Sequence, residues 1–355
     1  MKIAIVAPSP VPFTFGGAEA LFSGMQNSIN KFTSHQCELI KIPIQENNFW
    51  NLIEAYYKFY KVDLSYFDMV ISTKYPSWML KHPNHTVYMV HHLRGLFDTY
   101  HFCNEPYSIP SRLRTGIVKE ILDLVQNGSK TEQKVDRVFE KLFELKTKES
   151  KYDKEIFKFP GPFIREIIHF FDEYALAPGN VNRYFTMSEN VKNRKDYFPP
   201  NVEVKVSYPP TKIENLVCNS YTYLFTSSRL DGPKRIDLLI EAMKYVPNDI
   251  KLKIAGAGPE EERLKKMAAS DSRIEFLGFV SEAELTQLYS NSLAVLFVPY
   301  DEDYGLITIE GMMSKKPVIT ASDSGGSLEF VKDSVTGYVV EPQPQKIAGK
   351  INYLV

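Results

Sequence analysis

Short apolar runs alternate with helical patterns along the whole chain of 355 residues. Because strands that alternate with helices usually form parallel sheets covered by those helices, this rhythm predicts an α/β fold. Strands are expected near 2–7, 37–42, 67–72, 85–90, 181–186, 203–207, 221–227, 250–255, 273–277, 293–298, 317–320 and 337–340. Helices are expected near 17–33, 188–197, 233–246, 259–269, 281–290, 304–313 and 325–331.

A proline pair divides this pattern near its middle. Proline stops both helices and central strands, so Tyr208-Pro209-Pro210 predicts a linker between two domains, 1–208 and 209–355. We expect two Rossmann-like, doubly wound domains that face each other across a cleft. Ligands of such sheets bind outside the carboxyl ends of the strands.

Residues 103–175 interrupt the rhythm of the first domain. A segment rich in Lys and Glu, 131–154, has the apolar spacing of an amphipathic helix, and 163–174 is a second candidate helix. The segment has two interpretations: an inserted helical cap, or a surface for a lipid-linked acceptor or the membrane face.

Composition and charge limit the classes of partner. Lys and Arg number 42 against 43 Asp and Glu, which argues against nucleic acid as a main partner. Cys37, Cys103 and Cys218 are too scattered for a disulfide framework or a zinc site. No apolar run reaches membrane-spanning length, so we expect a cytoplasmic protein with peripheral membrane contact at most.

The segment between Asp301 and Glu310 carries the strongest functional signal. It follows a predicted buried strand, and after Gly305 a predicted helix begins. The free N–H groups at a helix start attract anions. An acidic loop, an anion site and a second acid on one element together suit a nucleotide-sugar site.

A basic pair in the second domain completes this arrangement. Arg229 and Lys234 follow the predicted strand 221–227 and precede a helix. A fork-shaped guanidinium and a compact ammonium are suited to a diphosphate, although two solvated charges would give the same pattern. Asp301-Glu302-Asp303 also resembles a divalent-metal motif, but the basic pair already neutralises a diphosphate, so we expect no required metal.

Candidates in the first domain follow its predicted strands. Gly16 and Gly17 open a helix after the first strand, where glycine allows a ligand close to the backbone, but they do not form the GxGxxG of dinucleotide dehydrogenases. His91 ends the fourth strand and could stabilise or position a transferred sugar. The weaker candidates are Lys74, His92, Arg94 and Ser188, the last of which is also an N-cap.

A series of short strings points to one family. They are Ser228-Arg229-Leu230 with Lys234, Gly256-x-Gly258-Pro259, Phe276-Leu277-Gly278-Phe279-Val280, Glu302-Asp303-Tyr304-Gly305 through Glu310, Lys316-Pro317-Val318-Ile319 and Ser324-Gly325-Gly326-x-x-Glu329. With these strings in this order, the second half resembles the retaining glycosyltransferases of the GT4 group, which have the GT-B fold. The first half resembles them only at Gly16-Gly17, His91-His92 and the helix after Ser188.

The resemblance implies a role for each matching residue of the second domain. Glu310 would hold the ribose hydroxyls of the donor, and Glu302 the hydroxyls of its sugar. Arg229 and Lys234 would hold the diphosphate with the N–H groups of the helix start. The other implied donor-binding residues are Phe279 and Val280, at the base, and Tyr304, Gly305, Leu306 and Ile307, at the helix start.

The resemblance also assigns roles to the first domain. Gly16 and Gly17 would close on the phosphates, and His91 would lie beside the donor sugar. The expected catalytic residues are Glu302, His91, Arg229 and Lys234. Family members usually continue beyond the position of Val355 with helices that cross back to the first domain. We therefore expect either that the second domain is truncated at its C-terminus or that this crossover is absent.

The expected activity is transfer of a sugar from a UDP-sugar, or second a GDP-sugar, to a saccharide or lipid-linked acceptor in bacterial surface polysaccharide or glycoconjugate synthesis. Retention of the anomeric configuration is expected without a protein nucleophile. Two alternatives stay open: a sugar-nucleotide epimerase on the same fold, and a non-catalytic nucleotide-sugar-binding protein.

Overall fold

A computed structural model describes residues 1–10, 17–211, 213 and 215–355. The chain forms two compact units, one of residues 1–187 with 191–208 and the other of 188–190 with 209–355. Each unit contains one parallel six-stranded sheet with helices packed against it. The α/β fold class predicted from the alternating pattern is therefore confirmed.

The first sheet has the order β2-β1-β3-β4-β5-β6. Its elements and the helices between them are β1 (Lys2–Pro10), α1 (Gly17–Phe32), β2 (Gln36–Ile44), α2 (Phe49–Tyr60), β3 (Met69–Ser72), β4 (His85–Met89), α3 (Gly116–Gln126), α4 (Glu132–Thr147), α5 (Pro162–Ala175), β5 (Arg183–Thr186), α6 (Glu189–Lys192) and β6 (Val204–Val206).

The interrupting segment is a cluster of three helices, of which α3 was not predicted. The apolar face of α4 is buried, and its Phe139 packs against Tyr57 of α2 and Phe171 of α5. A face that already packs within its own domain favours the inserted-cap interpretation over a membrane-facing surface for this helix. No helix of the described residues is long and apolar enough to cross a membrane.

The second sheet has the order β12-β11-β10-β7-β8-β9. Its elements are β7 (Tyr223–Ser227), α7 (Ile236–Met243), β8 (Leu252–Ala255), α8 (Glu261–Ala268), β9 (Ile274–Gly278), α9 (Glu282–Asn291), β10 (Ser292–Leu296), α10 (Leu306–Met313), β11 (Val318–Ala321), β12 (Gly337–Val340) and α11 (Pro344–Leu354). The central strand β10 pairs with β7 on one side and with β11 on the other. The loops after these three strands therefore meet at one edge.

Two predicted helices are much shorter than expected. The helix expected near 325–331 is a single 3-10 turn, Gly326–Glu329, because Gly325 turns the chain with a φ of +62°. The helix expected near 188–197 is limited to the four residues of α6. Residues of both segments contact the loop Asp301-Glu302-Asp303, called the acidic loop below.

Candidate functional site

A lysine and a glutamate from neighbouring loops form the centre of the candidate site. Lys234 follows β7 and Glu302 follows β10, and their side chains form a salt bridge. The backbone holds the two loops together, since the N–H of Tyr300 donates to the carbonyl of Pro233 (2.8 Å). The side chains are 22% and 19% exposed, so water screens this pair only partly.

The environment keeps Lys234 charged. Burial lowers the pKa of an ammonium, but the charge and hydrogen bond of Glu302, helped by Asp231 and Asp303, outweigh burial and raise the pKa of Lys234 above its ordinary value. A permanently cationic group beside a helix start is the electrostatic environment that a phosphate requires.

Arg235, which was not among the predicted site residues, anchors the acidic loop. Its guanidinium binds both carboxylate oxygens of Asp323 (2.6 and 2.8 Å) and donates to the carbonyls of Val298 (2.8 Å) and Pro299 (2.6 Å). Such a bidentate ion pair fixes the relative position of the two side chains and also stabilises the fold. Arg235 therefore joins the loops after β7, β10 and β11.

Replacing this anchor is expected to destabilise the second domain. We expect Arg235→Ala to lower its free energy of unfolding by about 2 kcal/mol, because Asp323 and two carbonyls lose charged donors. Urea denaturation followed by circular dichroism measures this change. Arg263→Ala, at a more exposed ion pair, is the control and should change stability far less. Equal losses in the two variants would contradict an anchoring role for Arg235.

The acidic loop is also fixed from its other side. The N–H of Glu302 donates to Ser324 (3.2 Å), and the N–H of Gly326 donates back to Glu302 (2.8 Å). The side chain of Asn190 donates to Asp301 (2.8 Å) and to the carbonyl of Glu302 (2.9 Å). A Cβ on Gly325 would lie 2.6 Å from the carbonyl of Glu302, which explains the glycine at this position.

Helix α10 begins directly after this loop. Gly305 caps it with a φ of +82°, and a Cβ there would lie 2.6 Å from Ser327 Oγ. Leu306 and Ile307 occupy the first turn, where backbone N–H groups have no carbonyl within the helix. The phenol of Tyr304 is buried and donates to the carbonyl of Pro209 (3.0 Å), so its side chain has a packing role here.

Glu310 lies one turn further along α10 and is only 7% exposed. Its carboxylate accepts hydrogen bonds from Thr211 (2.8 Å) and Tyr289 (2.7 Å). Burial and then the charge of Glu310 raise the pKa of Tyr289 well above its ordinary value, so this phenol remains a donor. These two donors, which the sequence did not indicate, hold the carboxylate in one orientation.

Three further candidates of the second domain are more exposed or loosely held. The side chain of Arg229 is 68% exposed and lies 3.7 Å from Asp231. Phe279 is 83% exposed, and Val280 packs partly against the core. The loop of Arg229 is held by close backbone packing, since a Cβ on Gly256 would lie 1.9 Å from the carbonyl of Ser228.

Ser188 directly precedes α6, at the predicted N-cap position, and it also contacts the acidic loop. Its hydroxyl is buried and donates to the carbonyl of Asp303 (2.6 Å), while the N–H groups of Glu189 and Asn190 donate to Glu329 (3.0 and 2.8 Å). Ser188 therefore helps to hold the acidic loop through its hydrogen bond to the Asp303 carbonyl.

The candidates of the first domain divide into buried and accessible groups. His92 is buried, and its ring contacts Asp172 (2.8 Å) and the carbonyl of Tyr197 (3.0 Å), which indicates a structural role. His91 is half-buried, and its Nδ1 donates to the carbonyl of His92 (2.6 Å). Arg94 pairs with Asp98 (2.7 Å).

Of the two glycines predicted to approach the donor phosphates, Gly17 lies within the described residues. Gly17 is the first residue of α1, and Gly16 lies outside the described residues. Both assignments stay predictions.

Residues 212–355 match the family model of the glycosyl transferases group 1. The match covers about two fifths of the chain, and it identifies this segment as similar to a group 1 glycosyl transferase domain. The strings between Ser228 and Glu329 lie within the matched residues, so the resemblance to glycosyltransferases is confirmed at the level of group 1, while the GT4 assignment stays a prediction.

The relatives include enzymes that are named for the transfer of different sugars. The chain is 28% identical over 229 residues to the alpha-1,3/1,6-mannosyltransferase ALG2 of Homo sapiens, covering 56% of this chain and 54% of that protein. It is 35% identical over 120 residues to the poly(ribitol-phosphate) alpha-N-acetylglucosaminyltransferase of Staphylococcus aureus, covering 32% and 24%. The chain spans about half the length of the first of these relatives and a quarter of the second.

Solved structures extend the similarity to the whole chain. The lipopolysaccharide outer core galactosyltransferase WaaB in its apo form matches 100% of this chain and 90% of its own, with 14% identity and a TM-score of 0.59. A glycosyltransferase from Rickettsia africae matches 99% and 87%, with 16% identity and a TM-score of 0.58. At such identities the similarity shows the fold alone, and that fold is the predicted GT-B type.

Proposed function

We propose that this protein is a retaining glycosyltransferase that moves a sugar from a nucleoside-diphosphate sugar to a saccharide acceptor, free or lipid-linked. The observation that carries the proposal is the pair of Lys234 and Glu302 at the start of α10, with Glu310 buried one turn beyond. The group 1 family match supports the class of reaction.

In this proposal the second domain holds the leaving group. Lys234 and the more exposed Arg229 bind the diphosphate with the N–H groups of Leu306 and Ile307. These donors become more important as the sugar–phosphate bond breaks, because negative charge then gathers on the phosphate oxygens. Glu310, held by Thr211 and Tyr289, accepts hydrogen bonds from the ribose.

Glu302 has a double role in this mechanism. It pairs with Lys234 before the donor arrives, so the acid does not repel the diphosphate as an isolated charge would. When the diphosphate replaces Glu302 as the partner of the Lys234 ammonium, Glu302 can accept hydrogen bonds from the sugar hydroxyls. The acceptor hydroxyl attacks the sugar on the face of the departing phosphate, which takes its proton. His91 would lie beside the transferred sugar.

The donor base is proposed as uracil first and guanine second. A relative is named as a UDP-N-acetylglucosamine–peptide N-acetylglucosaminyltransferase subunit, from Streptococcus pneumoniae, at 30% identity over 132 residues that cover 36% of this chain and 26% of that protein. Bacterial surface polysaccharide or glycoconjugate synthesis is the proposed setting, at the cytoplasmic side of the membrane.

A donor screen followed by product analysis tests the proposal. We expect one or more UDP- or GDP-sugars to raise the melting temperature, because a ligand that binds only the folded protein stabilises it. Proton NMR of the transfer product should then show an anomeric configuration equal to that of the donor. An inverted product would contradict retention, and an isomerised nucleotide sugar in the absence of acceptor would identify an epimerase.

A further inference from the structure

Three residues of the second unit lie apart from the rest of it in the chain. These are Ser188, Glu189 and Asn190, called the supporting segment below. Side-chain or backbone donors of all three form hydrogen bonds with Glu329 or with the acidic loop. The acidic loop carries Glu302, so the supporting segment is placed to determine where this residue lies.

The side-chain amide of Asn190 uses both of its N–H groups on the acidic loop. Its Nδ2 lies 2.8 Å from Asp301 Oδ1 and 2.9 Å from the carbonyl oxygen of Glu302. A carboxylate and a carbonyl both accept, so the amide nitrogen rather than its oxygen must face them. The bond to the carboxylate is charge-assisted and therefore stronger than a bond between neutral groups. Asn190 thus fixes the backbone of the residue that pairs with Lys234.

Glu329 holds Asn190 in place. One oxygen of its carboxylate accepts from the N–H of Asn190 (2.8 Å), and the other accepts from the N–H of Glu189 (3.0 Å). Two charge-assisted bonds to neighbouring N–H groups fix the direction of the supporting segment. Glu329 ends the string that begins at Ser324, and the proposed transfer reaction gives it no role. Its contacts indicate that it acts through Asn190.

The backbone around the acidic loop accommodates this contact. The carbonyl of Glu302 accepts from the N–H of Gly326 (2.8 Å) as well as from Asn190, so both of its lone pairs are used. A Cβ on Gly325 would lie 2.7 Å from Asn190 Nδ2. A side chain on residue 325 would therefore separate Asn190 from the loop, which gives a second reason for glycine at this position.

Contacts at both ends of Glu302 determine where its carboxylate lies. Its side chain pairs with Lys234, and its backbone carbonyl is held by Asn190. In the proposed mechanism the diphosphate replaces Glu302 as the partner of Lys234. From that point the carboxylate depends on the backbone contacts for its position. A shift of about 1 Å at a group that contacts the substrate can lower a rate by about 100-fold.

We propose that Asn190 is a positioning residue for sugar transfer and that Glu329 acts through it. Asn190 keeps the carboxylate of Glu302 directed at the hydroxyls of the donor sugar after the diphosphate has bound Lys234. The inference rests on the proposed function, which assigns that sugar contact to Glu302. Diphosphate binding by Lys234 and by the start of α10 does not require Asn190, so the transfer rate and the nucleotide affinity should respond differently to its loss.

Replacement of Asn190 separates these two quantities. The rate is measured as release of nucleoside diphosphate from the UDP- or GDP-sugar that stabilises the wild type. We expect Asn190→Ala to lower kcat by about tenfold or more, while the affinity for UDP or GDP stays within about twofold of the wild type. Asn190→Asp keeps the shape but presents acceptors to the two loop oxygens, so it should lower kcat at least as far. Asn352→Ala is the control, because it removes a hydrogen bond from an exposed Asn to the carbonyl of Tyr245 (3.1 Å) and should change neither quantity.

Hydrogen exchange of the full chain tests the loop without a donor. The N–H groups of Asp301 and Glu302 donate to the carbonyls of Asp323 (2.9 Å) and Ser324 (3.2 Å). In Asn190→Ala these amides should exchange about tenfold or more faster, because local opening of the loop costs less free energy once its side-chain support is lost. Peptides of β8, which lies within the sheet, should exchange at the wild-type rate.

Three results would overturn the inference. These are unchanged exchange of the loop amides in Asn190→Ala, an unchanged kcat in this variant, and a loss of UDP or GDP affinity as large as the loss of rate, which would indicate a general loosening of the second domain. The two proposals fail separately. If the wild type transfers sugar and Asn190→Ala keeps its kcat, the proposed function stands and the positioning role fails. If the loop amides exchange faster in Asn190→Ala but neither UDP nor GDP binds the wild type, the support of the loop by Asn190 stands and the proposed function fails.

Discussion

Sugar transfer by the Lys234→Ala variant is expected to be about 100- to 1,000-fold slower in kcat than transfer by the wild type. Lys234 is the cation that the structure holds beside the start of α10, and its surroundings raise its pKa. Without it, charge on the departing phosphate loses its principal partner, and Glu302 remains as an uncompensated negative charge in the same place. The variant therefore loses an attraction and gains a repulsion.

Release of nucleoside diphosphate in a coupled assay measures this loss. Lys244→Ala is the matched control, because Lys244 pairs with Glu241 on an exposed surface of the same domain. It should keep the wild-type rate. A second variant, Lys234→Ala with Glu302→Gln, should bind nucleoside diphosphate better than Lys234→Ala alone, since the repulsion is removed. A wild-type rate for Lys234→Ala would contradict the proposed placement of the phosphates.

Glu310→Gln is expected to lower the affinity for the ribonucleoside diphosphate by about tenfold or more. Thr211 and Tyr289 fix the Glu310 carboxylate, so its acceptor positions are preorganised for a pair of hydroxyls. An amide keeps the shape but replaces one acceptor by a donor. The amide is also a weaker hydrogen-bond acceptor for the buried Tyr289 hydroxyl than the carboxylate is. The free energy of unfolding should therefore fall by about 1–2 kcal/mol.

Calorimetry with UDP and with its 2′-deoxy analogue separates the loss of ribose contacts from a general loss of nucleotide affinity. If guanine is the base, GDP and its 2′-deoxy analogue are used in the same way. The wild type should prefer the ribonucleotide, and Glu310→Gln should lose most of that preference. The exposed Glu341→Gln should behave as the wild type. If Glu310→Gln weakens both nucleotides equally, Glu310 does not contact the ribose.

The sequence predicted those parts of the molecule that depend on local pattern. The order of strands and helices follows from apolar spacing, and the second sheet matched it closely because its strands are short, buried and regularly separated. Arg229, Lys234, Glu302 and Glu310 could be selected because each follows a predicted strand or lies in a predicted helix. Their selection also depended on their position in family strings.

The supporting residues could not be predicted, because their roles arise only after folding. Arg235 binds Asp323, which lies 88 residues further along the chain, and Asn190 reaches Asp301 across 111 residues. Local sequence also could not show that 325–331 makes one 3-10 turn against the acidic loop.

The second domain is proposed to hold a nucleoside diphosphate by its diphosphate group. Isothermal titration of UDP, GDP and the two free nucleosides into the wild type and Lys234→Ala measures this binding. The predicted result is that at least one diphosphate binds the wild type, that Lys234→Ala weakens it about tenfold or more, and that the corresponding nucleoside is little affected. Failure of both diphosphates to bind the wild type, or equal losses of affinity for diphosphate and nucleoside, would contradict diphosphate binding by Lys234.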